Sequence, residues 1–375
     1  MNTVLALLAI LLLYLLQKVL YGRYWDKGLD IRLSFSENHA REGERLNLYE
    51  TITNRKAMPL PVVKVKFEAS RELIFDDTTN TNISDHFYRN DILSCLMYQK
   101  IRRTLGFKCG KRGYYTIDRV DAVGSDLFLS TNFVSVLPMQ LTLSVYPKLL
   151  TDKQFDIIYT TMLGNTLTKR LINEDPFEFR GIREYQPFDP MKSVNYKASA
   201  KTGELKVNQH APTSDESVHI LLNLEQETIW QFTDLLEESI RLASTIAYEY
   251  LGNGIPVSFT TNGLDIINKK PSKIADGSGS SHEISINEAL ARIDTKLTVP
   301  SFIPFLQEIV ENRTGSDTLI LISSFRRDDF FDAMRTLKEE NIPFFWILPL
   351  HDDMEFDAPD DLKADIFRYH VAKSM

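Results

Sequence analysis

Three hydrophobic patterns follow one another along the chain. Residues 4–16, VLALLAILLLYLL, form an apolar run whose one polar side-chain atom is the Tyr14 hydroxyl. From Leu29 to about Tyr146, apolar and polar residues alternate in short stretches: Ile31-Arg32-Leu33-Ser34-Phe35, Leu46-Asn47-Leu48-Tyr49, residues 61–67 and residues 141–145. Period two puts successive side chains on opposite faces of a pleated strand, so this region predicts an antiparallel β-sandwich. From Val218 the pattern changes again. Apolar runs at 218–224, 256–260, 318–323 and 344–348 alternate with segments of helical spacing at 232–251, 286–293, 302–311 and 328–340. Strand and helix in alternation predict a doubly wound parallel sheet with helices on both faces. The fold class is therefore α/β plus all-β behind an apolar N-terminal helix. Residues 270–281, with a Gly-Ser run, read as a loop.

A helix over residues 3–21 is about 28 Å long at 1.5 Å per residue, close to the hydrocarbon thickness of a bilayer, provided that Lys18 snorkels. Tyr21, Tyr24 and Trp25 would form an aromatic belt at the interface. A cleaved signal peptide is the rival reading. Met1-Asn2-Thr3 carries no basic side chain, and residues 17–21 contain no small-residue cleavage pattern, which favours a single-pass anchor. Lys18, Arg23 and Lys27 lie on the C-terminal flank, so the positive-inside rule places the body of the protein in the cytoplasm.

The chain has 375 residues, a length that suggests more than one domain. The pattern divides it into a transmembrane helix (1–21), a β-sandwich (22–146), a connecting helical segment (147–176), and a polar signature segment leading into the α/β domain (177–375). The formal net charge of −8 argues against a nucleic-acid partner, because neutralising phosphates takes clustered Lys and Arg. Cys95 and Cys109 are too few for a disulfide framework and lack metal-ligand spacing.

The signature segment, residues 177–209, interleaves charged and apolar residues where a linker would be small and polar. Its stretches GIREYQPFD (181–189) and VNYKASAKTGEL (194–205) resemble the signature of the bacterial "domain of unknown function 58" family, close to R-E-Y-x-x-G-D-x-x-R-x-I-x-W-K-x-S-A-R-T-G-x-L. Arg112-Gly113-Tyr114-Tyr115 and Asp126-Leu127-Phe128 resemble that family's region ahead of the signature. Phe188, Lys192, Tyr196 and Lys201 depart from the pattern and mark a divergent member; Phe188 removes the backbone freedom of a glycine. The resemblance implies a protein of the bacterial inner membrane with a β domain and a von Willebrand A-like α/β domain. It further implies a MoxR-type AAA+ ATPase as partner, in the assembly or maturation of other proteins.

The signature residues are Arg183, Glu184, Tyr185, Asp189, Asn195, Tyr196, Lys197, Ser199 and Lys201. They admit two readings. In one, Arg183, Glu184, Asp189 and Lys197 form a buried ion network that locks the loop. In the other, Arg183, Lys197 and Lys201 offer cationic donors to an anionic ligand or an acidic partner surface. Von Willebrand A domains hold a divalent cation with D-x-S-x-S after the first strand. Here the strand ends Asn223-Leu224-Glu225-Gln226-Glu227, and a later loop reads Ser323-Ser324-Phe325-Arg326, so no metal site is expected. No H-E-x-x-H, catalytic triad, P-loop or dinucleotide fingerprint occurs, and no cofactor is implied. His219 falls inside a strand and reads as a hydrogen-bonded core residue. The leading function is a non-enzymatic, membrane-tethered scaffold. The alternative is a ligand-binding or hydrolase-like enzyme using a cleft at the Arg183–Lys201 signature.

Overall fold

A computed structural model describes residues 2–172, 174–186, 191–212, 217–227, 232–313, 317–354 and 356–373. The chain forms two compact units, Met1–Lys148 and Leu149–Met375.

The first unit opens with helix α1 (Asn2–Tyr24), long and apolar enough to cross a membrane. Strands β1 (Leu29–Phe35), β2 (His39–Arg41), β3 (Arg45–Asn54), β4 (Leu60–Ser70) and β5 (Leu73–Phe75) follow. After them come β6 (Thr81–Ile83), β7 (His86–Cys95), β8 (Lys100–Cys109), β9 (Gly113–Ser125) and β10 (Asn132–Tyr146). One sheet has the order β1-β3-β8-β5 and the other β2-β10-β9-β4-β7-β6. Neighbours are antiparallel except β2, which runs parallel to β10. The alternation read from the sequence is the physical basis of this unit. Leu46, Leu48 and Ile52 of β3 and Val63, Val65 and Phe67 of β4 point inward into one core. At its centre Phe75 stacks on Phe87 at 4.4 Å and meets Phe107 at 5.2 Å.

The C-terminal half of α1 belongs to this core. Tyr21 and Trp25 are only 3% and 4% exposed. The Tyr21 hydroxyl donates to the Pro59 carbonyl at 2.7 Å, and the Trp25 indole stacks on Phe133 with 6.2 Å between centroids. The indole also covers Gly124 so closely that a Cβ there would sit 2.2 Å from it. The expected aromatic belt is thereby reduced to Tyr24, whose ring stays exposed under the Lys27 ammonium. The reason is helical spacing: Tyr21 and Trp25 are one turn apart and share the face that meets β9 and β10, whereas Tyr24 lies off it.

Charged residues interrupt the inward-facing pattern. Glu50 of β3 is fully buried between Leu48 and Ile52 in the strand's alternation, and neither carboxyl oxygen has a hydrogen-bond partner. Nearby, buried Arg89 binds Asp91 at 2.6 Å and Asp77 at 2.9 Å. Arg103 reaches Asp91 at 2.9 Å and Glu50 only at 3.7 Å. Burial, reinforced by Asp91 and opposed by Arg103 and Arg89, pushes the Glu50 carboxyl up to about 7. Asp77 is held well below the usual carboxylate range by hydrogen bonds from Thr79 and Arg89.

The second unit contains α2 (Lys153–Ile172), β11 (Glu174–Glu184), a 3-10 turn (Met191–Ser193), α3 (Tyr196–Thr202), β12 (Lys206–Pro212), β13 (Val218–Asn223) and α4 (Thr233–Gly252). It continues with β14 (Val257–Leu264), β15 (Pro271–Gly277), α5 (Ser280–Arg292), α6 (Ile303–Glu311), β16 (Thr318–Ser323), α7 (Asp328–Glu339), β17 (Phe344–His351) and β18 (Ile366–Val371). The main sheet has the order β15-β14-β13-β16-β17-β18, parallel except for the β15 edge. Helices cover both faces. Val218, Ile220 and Leu222 of β13 point into one core with α2, α4 and α5, while Leu221 points into the other with α6 and α7.

Two expectations change here. The expected connector over 147–176 contains α2, whose Phe155, Ile158 and Met162 recur at helical spacing and lie in the α/β core. The expected loop at 270–281 is mostly the edge strand β15, which pairs with β14 on one side only and so needs no apolar alternation.

Glu50 generates a pH prediction. The folded carboxyl keeps its proton up to about 7, whereas the unfolded one releases it near the ordinary glutamate value of 4.5. Between these values the folded state binds more protons, so stability falls as pH rises, by on the order of 3 kcal/mol across the window. Glu50→Gln should flatten that slope and raise stability at pH 8, read from hydrogen exchange of the β3 and β8 amides. An unchanged slope would show that Glu50 is ionised in the fold.

Candidate functional site

Doubly wound sheets take ligands at the carboxyl ends of their strands, at the point where the strand order reverses. In this chain that point lies between β13 and β16. The side chains there satisfy one another. Asn223, Asn262 and Ser323 are all buried. Asn223 donates to the Ser323 hydroxyl at 3.0 Å, and its carbonyl oxygen accepts from Asn262 at 3.0 Å and from the Glu225 amide at 2.9 Å. Asn262 also accepts from the Leu224 amide and donates to the Pro300 carbonyl, each at 2.9 Å. The Trp346 indole N–H donates to the Ser323 carbonyl at 2.9 Å.

The acidic side chains at this edge are engaged as well. Glu225 accepts from the Phe302 amide at 2.9 Å at the start of α6, where a carboxylate also complements the helix dipole. Glu227 accepts from the Arg326 amide and lies 3.4 Å from the Arg326 guanidinium. Glu227 and Arg326 line a small cleft with Phe232, Leu235 and Met354. Among the described residues no three His, Cys, Asp or Glu side chains are grouped as a cation would need. What this edge does chemically is tie two loops together with neutral amides and one ion pair.

The signature residues sit elsewhere in the same unit. β11 and β12 form an antiparallel ribbon in which Glu184 pairs with Lys206 and Arg183 with Val207. The 3-10 turn and α3 lie in the excursion between them. Asn195 holds this excursion. Its side-chain oxygen caps α3 by accepting from the Ala198 amide at 2.9 Å, and its amide group donates to Asn208 at 2.7 Å. Its backbone N–H donates to the Lys206 carbonyl at 2.8 Å. Ser199 donates to the Asn195 carbonyl and accepts from the Lys206 amide, both at 2.8 Å. Gly203 ends α3 at φ 76°, a left-handed position that suits glycine, with its N–H on the Ser199 carbonyl. Val194 and Val207 are buried beneath.

Among the described residues the charged signature side chains do not come together in a buried ion network. The Glu184 side chain is 74% exposed and meets Lys206 at 3.3 Å. Arg183 is half-buried and donates to the Glu184 carbonyl at 3.0 Å. Tyr185 is half-buried, with its N–H on the Leu205 carbonyl. Tyr196, Lys197 and Lys201 are exposed on α3, with Lys197 and Lys201 one turn apart. Asp189 lies outside the described residues. Neutral groups, Asn195, Ser199 and Asn208, hold the segment, and Glu184, Lys197 and Lys201 face water because a short ribbon gives them nothing to be buried under. Asn208 and Lys206 escaped the sequence reading, because their contacts with Asn195, Ser199 and Glu184 run across the ribbon and leave no local spacing to read.

His219 is buried as expected, 2.9 Å from the Thr260 hydroxyl. Burial pulls its imidazole down to about 4, against the pull of Asp317 at 3.8 Å.

No family model matches the sequence, and no curated protein matches it either. Several solved structures are similar to part of the chain. A CARDB domain of a Pyrococcus furiosus protein is 13% identical, with 31% of this chain and 90% of that one covered and a TM-score of 0.20. PapD-like domain 7 of human CEP192 is 14% identical over 32% of this chain and 87% of its own, TM-score 0.21. A non-cellulosomal cohesin from Archaeoglobus fulgidus is 11% identical over 34% and 97%, TM-score 0.23.

Two predictions follow from this geometry. Asn195→Ala removes the cap and the link to Asn208 and should cost about 1 kcal/mol, whereas Lys197→Ala should stay within about 0.5 kcal/mol of wild type. Urea unfolding measures both; a larger loss for Lys197→Ala would restore the buried-network reading. Calorimetric titration with magnesium should show no saturable binding at the carboxyl edge of the sheet. Micromolar binding abolished by Glu225→Ala would contradict the closed network.

Proposed function

We propose that the protein is a membrane-tethered, non-enzymatic scaffold, a divergent member of the domain of unknown function 58 family. Its second unit would be a von Willebrand A-like platform for a MoxR-type AAA+ ATPase or its client at the bacterial inner membrane. The observation that carries this reading is a contrast within that unit. The edge where a doubly wound sheet would take a ligand is occupied by its own Asn, Ser and Glu side chains. The signature segment instead holds Tyr196, Lys197 and Lys201 outward on a helix pinned at both ends. An exposed aromatic beside two cations is suited to an acidic protein surface.

The anchor reading draws support from the first unit. Cleavage after any of residues 17–21 would remove Tyr14 and Gln17, with their contacts to Phe128, Ser130 and Asp126, and would cut into the helix that seats Tyr21 and Trp25 in the core of the β domain. Lys18, Arg23 and Lys27 follow the apolar run, and on the positive-inside rule both units are cytoplasmic.

The test is affinity capture of the full chain from detergent-solubilised membranes. Wild type should recover an AAA+ ATPase, and a Lys197→Glu, Lys201→Glu double variant should recover at least tenfold less while unfolding at the same urea concentration. Equal recovery, or none from wild type, would contradict the proposal.

A further inference from the structure

Two hairpin tips beside the exit end of α1 each carry three exposed apolar residues in succession. The β9–β10 tip, residues 126–131, carries Leu127, Phe128 and Leu129 in succession, 50%, 66% and 59% exposed. The β7–β8 tip carries Leu96, Met97 and Tyr98, also exposed. Each tip has a bulky residue at positive φ, Leu129 at 57° and Tyr98 at 52°, positions where Gly or Asn would be relaxed. Backbone strain kept in order to present an apolar side chain to the outside points to a role for that side chain.

The tips are fixed relative to α1. Phe128 contacts the Tyr14 ring, 5.9 Å between centroids, and the Tyr14 hydroxyl donates to Ser130 at 3.1 Å. Asp126 closes the turn by accepting from the Ser130 amide and hydroxyl, and it also accepts from Gln17 at 3.4 Å. The β7–β8 tip is tied lower down: the Tyr98 amide donates to Lys56, whose ammonium caps the Tyr24 and Trp25 carbonyls.

Helix length then decides where these tips lie. From Thr3 to Tyr14 the helix rises only about 17 Å. The hydrocarbon core is about 30 Å thick. The helix can cross it only if the stretch that the β9–β10 tip flanks is also submerged, down to the neighbourhood of Lys18 to Gly22. Phe128, level with Tyr14, would then lie roughly 6–12 Å below the surface. An apolar groove bounded by Leu20, Tyr24, Met58 and Leu127 opens on the same side and is rimmed by Lys27 and Lys56.

We propose that the β9–β10 hairpin tip is itself a membrane-inserted element, with Leu127, Phe128 and Leu129 among phospholipid acyl chains. The β7–β8 tip rests at the interface. The inference relies on α1 being a membrane anchor, and adds that the β domain is wedged into the bilayer instead of hanging from a flexible tether. Asp126 itself is buried, its carboxylate held by donors from Ser130, Thr131 and Gln17 and turned away from the apolar tip.

The experiment places an environment-sensitive probe on single cysteine variants of the full chain, in phosphatidylcholine–phosphatidylglycerol vesicles with spin-labelled lipids. Cys95 and Cys109 are buried and do not compete for the probe. The sites are Leu8→Cys in the helix, Phe128→Cys, Tyr98→Cys and, at the far end of the sandwich, Glu44→Cys. The expected result is strong quenching at 8, severalfold quenching at 128 with a deeper depth than at 98, and none at 44. Quenching at 8 with position 128 as dark to lipid as 44 would overturn the wedge and leave the anchor intact. It would mean that water or a protein partner covers the tip. No quenching at 8 would overturn both.

Discussion

Helix α1 is apolar enough to cross a membrane and also packs on the β domain, and one stripe along it makes both possible. Tyr14, Gln17, Tyr21 and Trp25 recur at helical spacing and turn toward the β domain, while the other faces keep Leu, Val and Ile outward. The stripe ends in an indole seated on Gly124, in a space that would not admit a methyl group. Everything proposed for the first unit depends on this docking: an anchor that cannot be shed, hairpins held at a fixed height, and a sandwich core completed by helix residues.

The second unit follows a different logic. Its sheet is generic, and generic doubly wound sheets are useful because their carboxyl edges can be fitted with chemistry. In this protein that edge is fitted with a lock. Asn223, Asn262 and Ser323 bond one another and the loops around them, leaving Glu225 to cap a helix and Glu227 to hold Arg326. The surface proposed for recognition is α3, where Asn195 and Gly203 fix both ends of a helix too short to be stable alone.

The strands of the β domain were legible because alternation is a direct consequence of pleating. The buried parallel strands were legible as apolar runs. Elements at the margins were not. β15 is an edge strand of sequence PSKIADG with no apolar alternation, and α2 announces its core role only through Phe155, Ile158 and Met162. Glu50, Arg89 and Asp91 occupy inward positions that a pattern of apolar residues assigns to the core, and their burial depends on partners on other strands. The signature was visible as a polar segment, but which of its residues hold and which face out was not. Holding falls to Asn195, Ser199 and Asn208, whose bonds are local capping and cross-strand contacts, and the eye goes first to the charges. The aromatic belt failed for a related reason: Tyr21 and Trp25 have the composition of interface residues, and only the docking of α1 shows that they face protein.

The measurement that bears most directly on this account is the intact mass of the mature protein extracted from membranes. A helix whose residues complete a folded core has to stay attached, so the mass should include the whole of α1 through Trp25. A mature chain beginning anywhere between residues 17 and 28 would show that the helix is a discarded leader, and the anchored, wedged arrangement would fall with it.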